Sequence, residues 1–238
     1  MITLSPFPKV KIFISEKRDG SINSSIQAQQ LLQKHQVKSP ICYFHHHHQA
    51  NRYHYLSKSD NPLKEVWSDA VISNQEVCLV MKVADCFPIV LFSKESKVIA
   101  LIHAGWKPLL QNIIALTMQD LQLQYNVSPK KIQAWIGPGI HSCCYLFKEK
   151  PIQANWPSWQ CAIKRSGDFW SIDLIKFIIQ ELTKLGVQKN SIINFNQCTS
   201  CQSDSFFSHY QATRSRFSSG RMLVAVESLK PVSQTTNH

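Results

Sequence analysis

Two apolar runs lie close together in the sequence, EVCLVMKVADCFPIVLF at Glu76–Phe92 and VIALI at Val98–Ile102. Both runs are almost continuously apolar and rich in β-branched residues, which is typical of buried strands. The polar tetrapeptide SKES at 93–96 separates them. We therefore expect two neighbouring strands that form an antiparallel hairpin centred between Lys94 and Glu95.

Outside this pair, the apolar spacing predicts further helices and strands. From Pro108 the apolar residues follow helical spacing as far as Leu121, and a proline suits the first turn of a helix. A second helix is expected at Asp173–Leu185, and Gly186 follows it where a helix end favours a left-handed residue. The remaining elements are expected to be strands at Ile132–Ile136, Ile192–Phe195 and Met222–Val226 and a loop at Gly137–Cys144. This pattern predicts a mixed α/β (α+β) fold in which mixed sheets are flanked by helices.

The composition is that of a globular chain. Of its 238 residues, 44% are hydrophobic and only 17% are charged. Because ordinary soluble domains carry about 25% charged residues, this balance excludes a disordered chain. No linker or repeat divides the sequence, so we expect one domain over residues 1–238, with a polar tail at 228–238.

Targeting signals and membrane spans are not expected. The segment Met1–Ser15 lacks the uninterrupted apolar run of a secretory signal, and no run of about 18 apolar residues occurs. A cytoplasmic protein is therefore predicted. Its eight cysteines are expected to be thiols or metal ligands and not disulfides.

The formal net charge of +11 raises the question of a nucleic-acid partner. Nucleic-acid surfaces cluster lysine and arginine on one face, whereas the densest groups here are isolated pairs such as Lys130 with Lys131. The scattered charge favours an ordinary solvated surface over a nucleic-acid site. A cationic pocket for a phosphate-bearing substrate is also compatible with it.

A metal site is predicted where the two central strands face each other. In the expected hairpin, opposed residues have numbers that sum to 189, which places Cys86 opposite His103. Opposed Cβ atoms lie about 4.5–5.5 Å apart, close enough for a thiolate and an imidazole to share a zinc ion. Asp85 adjoins the cysteine, and a glycine-tryptophan turn follows the histidine. Together these residues favour a catalytic centre over a buried cysteine packed beside a structural histidine.

The run His45–His48 offers a third metal ligand. It follows the apolar segment Ile41–Phe44, which predicts a strand, and alternate strand residues point to opposite faces. At most two of the four histidines can then line one site. His54 is a further candidate.

Two other groups could bind ligands. Cys198 and Cys201 have the C-x-x-C spacing of half a zinc site or of a redox pair, with His209 as the nearby candidate for another ligand. Two ordinary thiols on a loop are the favoured interpretation, because no helical pattern follows them. The glycines of the Gly137-Pro138-Gly139 turn could present backbone N–H groups to an anion.

Five separated motifs give the sequence a specific resemblance to a known family. They are VADCFPI at 83–89, IHAGW at 102–106, IGPGIHSCCY at 136–145, CT at 198–199 with FFS at 206–208, and SGR at 219–221. Their residues and order resemble the laccase-domain family, also called the multicopper polyphenol oxidase or purine nucleoside phosphorylase family. The resemblance spans about Glu76–Val226, whereas residues 1–75 are divergent and shortened.

The resemblance implies a single mixed α/β domain with a zinc site built from two histidines and a cysteine. Cys86 and His103 match two of these ligands, and Asp85 or a neighbouring group would handle protons. The resemblance further implies phosphorolysis of inosine, adenosine, guanosine or methylthioadenosine, with adenosine deamination at the same site. The expected partners are a purine nucleoside and phosphate.

The first departure from the family pattern concerns the remaining metal ligand. The family carries this histidine in a Gln-x-His-Gly motif. Without a gap Gln49 takes the histidine position, whereas a one-residue slip gives His48. We expect His48 to be the ligand, in a centre formed with Cys86 and His103.

Two further departures concern residues that could bind phosphate. The Arg-x-Gly-Gly-Val-Ser loop of the family is reduced to KRDGS at 17–21, Lys107-Pro108 replaces Arg-Gly, and SHY at 208–210 replaces Ser-Tyr-Arg-Arg. The candidates for phosphate contacts are Lys107, Arg18 and the N–H groups of Gly137 and Gly139. Departures of this kind can reduce activity.

Three alternative functions stay open at this point. A copper-dependent polyphenol oxidase is suggested by one of the family's names, but laccase chemistry needs several copper ions and many paired histidines. A cell-wall-related hydrolase with the same metal ligands is a second alternative. A non-catalytic, zinc-stabilised nucleic-acid binder would fit the net charge and the C-x-x-C motif, although not the scattered distribution of the charge.

Overall fold

Fifteen strands, five α-helices and five short 3₁₀ helices lie in the part of the chain that the computed structural model describes, residues 1–56, 62–214 and 219–229. The strands are β1 (Ile2–Phe7), β2 (Val10–Ile14), β3 (Ile41–His45), β4 (Arg52–His54), β5 (Leu63–Trp67), β6 (Ala70–Ser73), β7 (Cys78–Val83), β8 (Phe87–Ser93), β9 (Val98–Ala104), β10 (Ile132–Ile136), β11 (Leu146–Phe147), β12 (Ile163–Ser166), β13 (Phe169–Ile172), β14 (Ile192–Asn194) and β15 (Met222–Ser228). The helices are α1 (Ser25–Lys34), α2 (Trp106–Leu110), α3 (Ile113–Tyr125), α4 (Leu174–Lys184) and α5 (His209–Ala212). The polar tail expected at 228–238 lies outside the described residues from 230 onward.

Two six-stranded sheets face each other, and helices cover their outer faces. The first sheet has the order β1-β2-β15-β7-β3-β5 and the second β14-β10-β8-β9-β6-β4, beside a small sheet β11-β13-β12. Residues of both large sheets, among them Met81, Val90 and Leu101, form the core between them. The outer face of the first sheet packs on Leu32 of α1, and that of the second packs on α3 and α4. This four-layer arrangement confirms the predicted mixed α+β fold.

The apolar run Glu76–Phe92 forms two strands that belong to different sheets. β7 lies in the first sheet and β8 in the second, and the chain crosses between them at residues 84–86. Asp85 has φ of 83°, a conformation that breaks a strand and that aspartate tolerates better than most residues. The interpretation of this stretch as one buried strand is therefore wrong. The crossing places the Ala84-Asp85-Cys86 segment at the edge where both sheets meet.

The β8–β9 hairpin is antiparallel as predicted, but its register differs from the expected one. Pro88 pairs with His103 and Ser93 with Val98, so the paired numbers sum to 191 and not to 189. The turn is centred one residue later than expected, because Ser93 still belongs to the strand and 94–97 form the loop. Since the slip is two residues, every side chain keeps its predicted face.

The helix predicted from Pro108 to Leu121 is broken in two. α2 ends at Leu110, and Asn112, with φ of 61°, separates it from α3. The second predicted helix is confirmed as α4, whose first turn is capped by the Asp173 carboxylate, which accepts a hydrogen bond from the Lys176 N–H at 2.9 Å. Gly186 has φ of 95°, as expected after a helix end. None of the described helices combines the length and apolarity needed to cross a bilayer.

The crossing at Asp85 yields a first prediction. Its carboxylate accepts hydrogen bonds from Thr199 Oγ1 at 2.7 Å and from the Tyr210 N–H at 2.6 Å. We expect Asp85→Ala to lower the free energy of unfolding by about 2–4 kcal/mol, because it removes two bonds to a buried charge and leaves positive φ to a residue that disfavours it.

Asp85→Asn is the matched control for that experiment, since asparagine tolerates positive φ and can still accept from Thr199. Urea unfolding should therefore show a smaller loss for Asp85→Asn than for Asp85→Ala. A loss below about 0.5 kcal/mol for Asp85→Ala would contradict the role of this residue in holding the crossing.

Candidate active site

A cavity of about 430 Å³ opens where the crossing segment, the end of β9 and the loop after β3 meet. Its size is in the range of small-molecule sites. The lining residues with polar or aromatic side chains include His48, Cys86, Lys107, Tyr145, Tyr210 and Arg214. The cavity therefore combines metal-ligand, cationic and aromatic side chains.

Cys86 lines this cavity and lies beside the buried His103, although the two residues are not opposed in the hairpin. The Cys86 side chain is hydrogen-bonded to both His103 and His48. The space around the sulfur is tight: a Cβ at Gly105 would lie 2.8 Å from Cys86 Sγ. Glycine in the His-Ala-Gly-Trp motif thus lets the sulfur occupy its place beside the imidazole.

The histidine run divides into two pairs that face opposite ways, as the alternation predicts. β3 ends at His45, so the run continues as a loop and not as a strand. His45 and His47 stack on Trp67, with ring centroids at 4.6 and 4.5 Å. His46 and His48 lie against His103 instead, at 3.9 and 4.9 Å. Gln49, the ungapped alternative, is exposed, and His48 is the residue that reaches the cavity.

The Asp69 carboxylate, which is fully buried, organises these histidines. Its Oδ1 accepts from His103 Nδ1 at 3.0 Å and from the His48 N–H at 2.9 Å. Its Oδ2 accepts from the Gln49 N–H at 2.8 Å. Because Nδ1 of His103 is occupied, Nε2 is the nitrogen left for a metal or for the sulfur of Cys86.

The Cys86–His103 pair is strongly polarised. Burial raises the pKa of the Cys86 thiol, but the charge on His103 and the hydrogen bonds from His103 and His48 outweigh it and lower that pKa to about 6. Burial lowers the pKa of His103, whereas the charge of Cys86 and the bond to Asp69 raise it to about 9. A thiolate is therefore favoured at neutral pH, which is the protonation state that a metal ligand requires.

Two overlapping sets of donors could hold a metal here. The ligand atoms of His46, His48 and His103 all lie within 4.8 Å of one another. However, the rings of His46 and His103 are stacked at an angle of 14°, so their in-plane lone pairs run side by side and do not converge. In addition, His46 Nε2 contacts the Lys82 carbonyl at 2.8 Å. His48, whose ring is turned by 85° from His103, and Cys86 are better placed to share an ion with it.

Of the residues predicted to contact phosphate, some lie at the cavity and others do not. Lys107 lines the cavity, whereas Arg18 does not line it and instead pairs with Glu16 at 2.6 Å. The Gly137 N–H donates to the Pro88 carbonyl at 2.8 Å and the Gly139 N–H to that of Gln197 at 3.2 Å.

Neither of these glycine amides is therefore available to an anion. The glycines serve packing instead, because a Cβ at Gly137 would lie 2.5 Å from Pro88 Cγ and one at Gly139 would lie 2.6 Å from the Phe87 ring.

Asp85 also lines the cavity, but both oxygens of its carboxylate already accept hydrogen bonds from Thr199 and Tyr210. Its role in proton transfer stays a prediction. Sequence reasoning missed Asp69, and also Arg214, whose guanidinium lies 3.6 Å from the centroid of the Tyr210 ring at the cavity. For Asp69 the sequence offers no signal, because a lone aspartate between a serine and an alanine has no recognisable spacing.

Solved structures of other proteins share this fold. YlmD from Geobacillus stearothermophilus superposes with a TM-score of 0.81 at 22% identity, covering 95% of this chain and 94% of that one. A hypothetical protein YfiH from Bacillus licheniformis gives a TM-score of 0.79 at 21% identity, with 93% of each chain covered. At these identities the likeness shows the fold alone.

Curated relatives extend the comparison to named enzymes. A purine nucleoside phosphorylase of Clostridium acetobutylicum is 30% identical over 165 residues, which cover 69% of this chain and 67% of that protein. The purine nucleoside phosphorylase YlmD of Geobacillus stearothermophilus is 29% identical over 158 residues, 63% of this chain and 56% of that protein. The alignments thus span between 56% and 67% of the lengths of these two relatives.

The family comparison covers most of the chain. The sequence profile of the family described as "Multi-copper polyphenol oxidoreductase laccase" matches residues 16–228. This range includes the histidine run, the crossing segment, the His-Ala-Gly-Trp motif and the C-x-x-C motif. The chain belongs to the laccase-domain family.

Proposed function

We propose that this chain is a zinc-dependent purine nucleoside phosphorylase that acts in the cytoplasm. The proposed substrates are phosphate and inosine, adenosine, guanosine or methylthioadenosine, with adenosine deamination as a further reaction of the same site. The observation that carries the proposal is one cavity lined by His48, Cys86, Lys107 and Arg214, with the buried His103 directly beside the Cys86 sulfur. The names of its relatives support the same activity.

The proposed metal ligands are His48, Cys86 and His103. Two imidazoles and one thiolate suit zinc, and a centre with three protein ligands leaves one position open towards the cavity. Zinc bound there would polarise the substrate or a bound water molecule. Asp69 would fix the tautomer and orientation of His103 through its bond to Nδ1.

The donor set favours zinc over the chemistry of a multicopper oxidase. Among the described residues, two groups of three or more potential metal ligands have all their ligand atoms within 4.8 Å of one another, the histidines His46, His48 and His103 and a group of four cysteines. The proposed centre takes two of these histidines together with Cys86. A copper cluster with several ions needs many more paired histidines. His45, His47 and His54 lie elsewhere, the first two on Trp67 and the third beside Asp120.

The remaining lining residues suit a nucleoside and a phosphate. Tyr145 and Tyr210 line the cavity with aromatic surface, to which a purine can bind by stacking. Lys107 and Arg214 supply two positive charges that can bind the phosphate. Arg214 follows the SHY segment at 208–210, where this chain lacks the two arginines of the family's Ser-Tyr-Arg-Arg element. In phosphorolysis these residues would hold phosphate against the sugar while the purine base leaves. Protons would be handled by Asp85 or a neighbouring group.

The direct test is the release of hypoxanthine from inosine. Release should require phosphate and should yield ribose-1-phosphate, because hydrolysis would produce free ribose in any buffer. Cys86→Ala should lower kcat/KM by more than about 100-fold, since it removes a thiolate ligand from the centre. Cys161→Ala, whose sulfur contacts the Ser158 carbonyl outside the cavity, is the matched control and should retain activity.

Two results would contradict the proposed function. One is a folded, zinc-loaded wild-type protein that releases no base from inosine, adenosine, guanosine or methylthioadenosine. The other is equal activity of the two cysteine variants. Oxidation of phenols by the copper-loaded protein would instead support the polyphenol oxidase alternative.

The phosphate site has its own prediction. Lys107→Ala should raise the KM for phosphate by about 10-fold with a smaller effect on the KM for inosine, because one charge-assisted contact to the anion is lost. Lys34→Ala on α1, outside the cavity lining, is the control and should leave both constants unchanged. Equal KM values for phosphate in the two variants would exclude Lys107 from the phosphate site.

The hydrogen bond between His103 Nδ1 and the Asp69 carboxylate yields a third prediction for this site. Asp69→Asn should weaken zinc binding by about 10–100-fold, because the ring of His103 loses its carboxylate partner. Competition with a chelator measures this affinity. Asp120→Asn is the control, since the Asp120 carboxylate pairs with Arg52 at 2.9 Å outside the cavity lining. An unchanged affinity in Asp69→Asn would mean that His103 is not held through this bond.

A further inference from the structure

Four cysteines from two distant parts of the chain meet beside the cavity. Cys143 and Cys144 lie in the loop between β10 and β11, and Cys198 and Cys201 lie between β14 and α5. A parallel bridge between Gly139 and Cys198 holds the two segments together. All four sulfur atoms lie within 4.8 Å of one another.

The distances between these sulfurs match a metal-bound tetrahedron. Cys143 Sγ lies 3.8 Å from Cys144, 3.9 Å from Cys198 and 3.4 Å from Cys201, and Cys144 Sγ lies 3.4 Å from Cys201. Four ligands at the usual Zn–S distance of about 2.3 Å are separated by roughly 3.8 Å in a tetrahedron. A disulfide needs about 2.05 Å, and one disulfide would use only two of the four thiols.

The backbone around Cys198 supports a thiolate at this position. The N–H groups of His141 and Cys201 both point at Cys198 Sγ, at 3.4 and 3.5 Å. Hydrogen bonds of this kind stabilise a sulfur that carries negative charge, and they hold ligands in place around a metal. The sequence interpretation favoured two ordinary thiols at Cys198 and Cys201 and offered only His209 as a further ligand for a zinc site. It overlooked Cys143 and Cys144, whose sulfurs lie beside them.

We propose that Cys143, Cys144, Cys198 and Cys201 bind one zinc ion in a tetrathiolate site, separate from the centre at Cys86 and His103. Four thiolates around one ion are typical of closed structural zinc sites, which leave no position for substrate. Binding requires the loss of the four thiol protons to solvent and involves no change in oxidation state. The proposal does not depend on the enzymatic activity of the chain.

Because of its position, the proposed zinc site would hold one wall of the cavity in place. Tyr145, which lines the cavity, follows Cys144 directly, and Thr199, which donates to Asp85, follows Cys198. An ion held by all four sulfurs would therefore fix the two loops that form this wall of the cavity. Its removal should loosen the wall without removing the ligands at Cys86 and His103.

The test is the metal content of purified, zinc-loaded protein by elemental analysis and native mass spectrometry. The double variant Cys143→Ser/Cys201→Ser should hold one zinc ion fewer per chain than the wild type, which holds two when the centre at Cys86 and His103 is also loaded. Cys161→Ser is the matched control, since its sulfur lies outside the cluster, and it should hold as many zinc ions as the wild type. The double variant should also unfold at a lower temperature than the control.

A second variant keeps the proposal testable if the double variant does not fold. Cys86→Ala should retain one zinc ion, whose X-ray absorption should show four sulfur neighbours at about 2.3 Å. Nitrogen or oxygen neighbours in place of sulfur, iron instead of zinc, or a disulfide among the four cysteines would each overturn the proposal. A double variant that holds as much zinc as the wild type would do the same.

Discussion

The buried carboxylate of Asp69 is the interaction on which the site depends. A charge without solvent exposure is costly unless it is paired and hydrogen-bonded, and here it accepts bonds from His48, Gln49 and His103. These bonds join the loop after β3, in the first sheet, to β9 in the second. The same contacts that satisfy the carboxylate therefore bring His48 and His103 to one point.

The crossing of the chain between the sheets positions Cys86, the third ligand of the proposed centre. Asp85 turns the chain from β7 to β8 at positive φ, and this turn places Cys86 at the sheet edge beside His103. The bond from Thr199 to Asp85 connects the turn to the loop that holds Cys198 and Cys201, and the bond from Tyr210 connects it to α5. Cys86 with His103, the wall of the cavity and the cysteine cluster are thus parts of one connected region.

The sequence predicted the helices and strands whose apolar residues are regularly spaced. It also predicted contacts between neighbouring strands. β10 and α4 follow from apolar spacing, and the nearness of Cys86 to His103 survives a register error because a two-residue slip preserves the face. The break at Asp85 was missed, because an apolar run does not show which sheet each half joins. The cysteine cluster was missed because its halves are more than 50 residues apart and meet only through the sheets.

In the proposed centre, His48, Cys86 and His103 hold one metal ion beside the cavity. Crystals of the zinc-loaded protein, measured on both sides of the zinc absorption edge, would locate this ion. We expect an anomalous peak within about 2.0–2.3 Å of two imidazole nitrogens and the Cys86 sulfur. No peak at that position, or a peak bound by His46 with Cys86 left free, would contradict it.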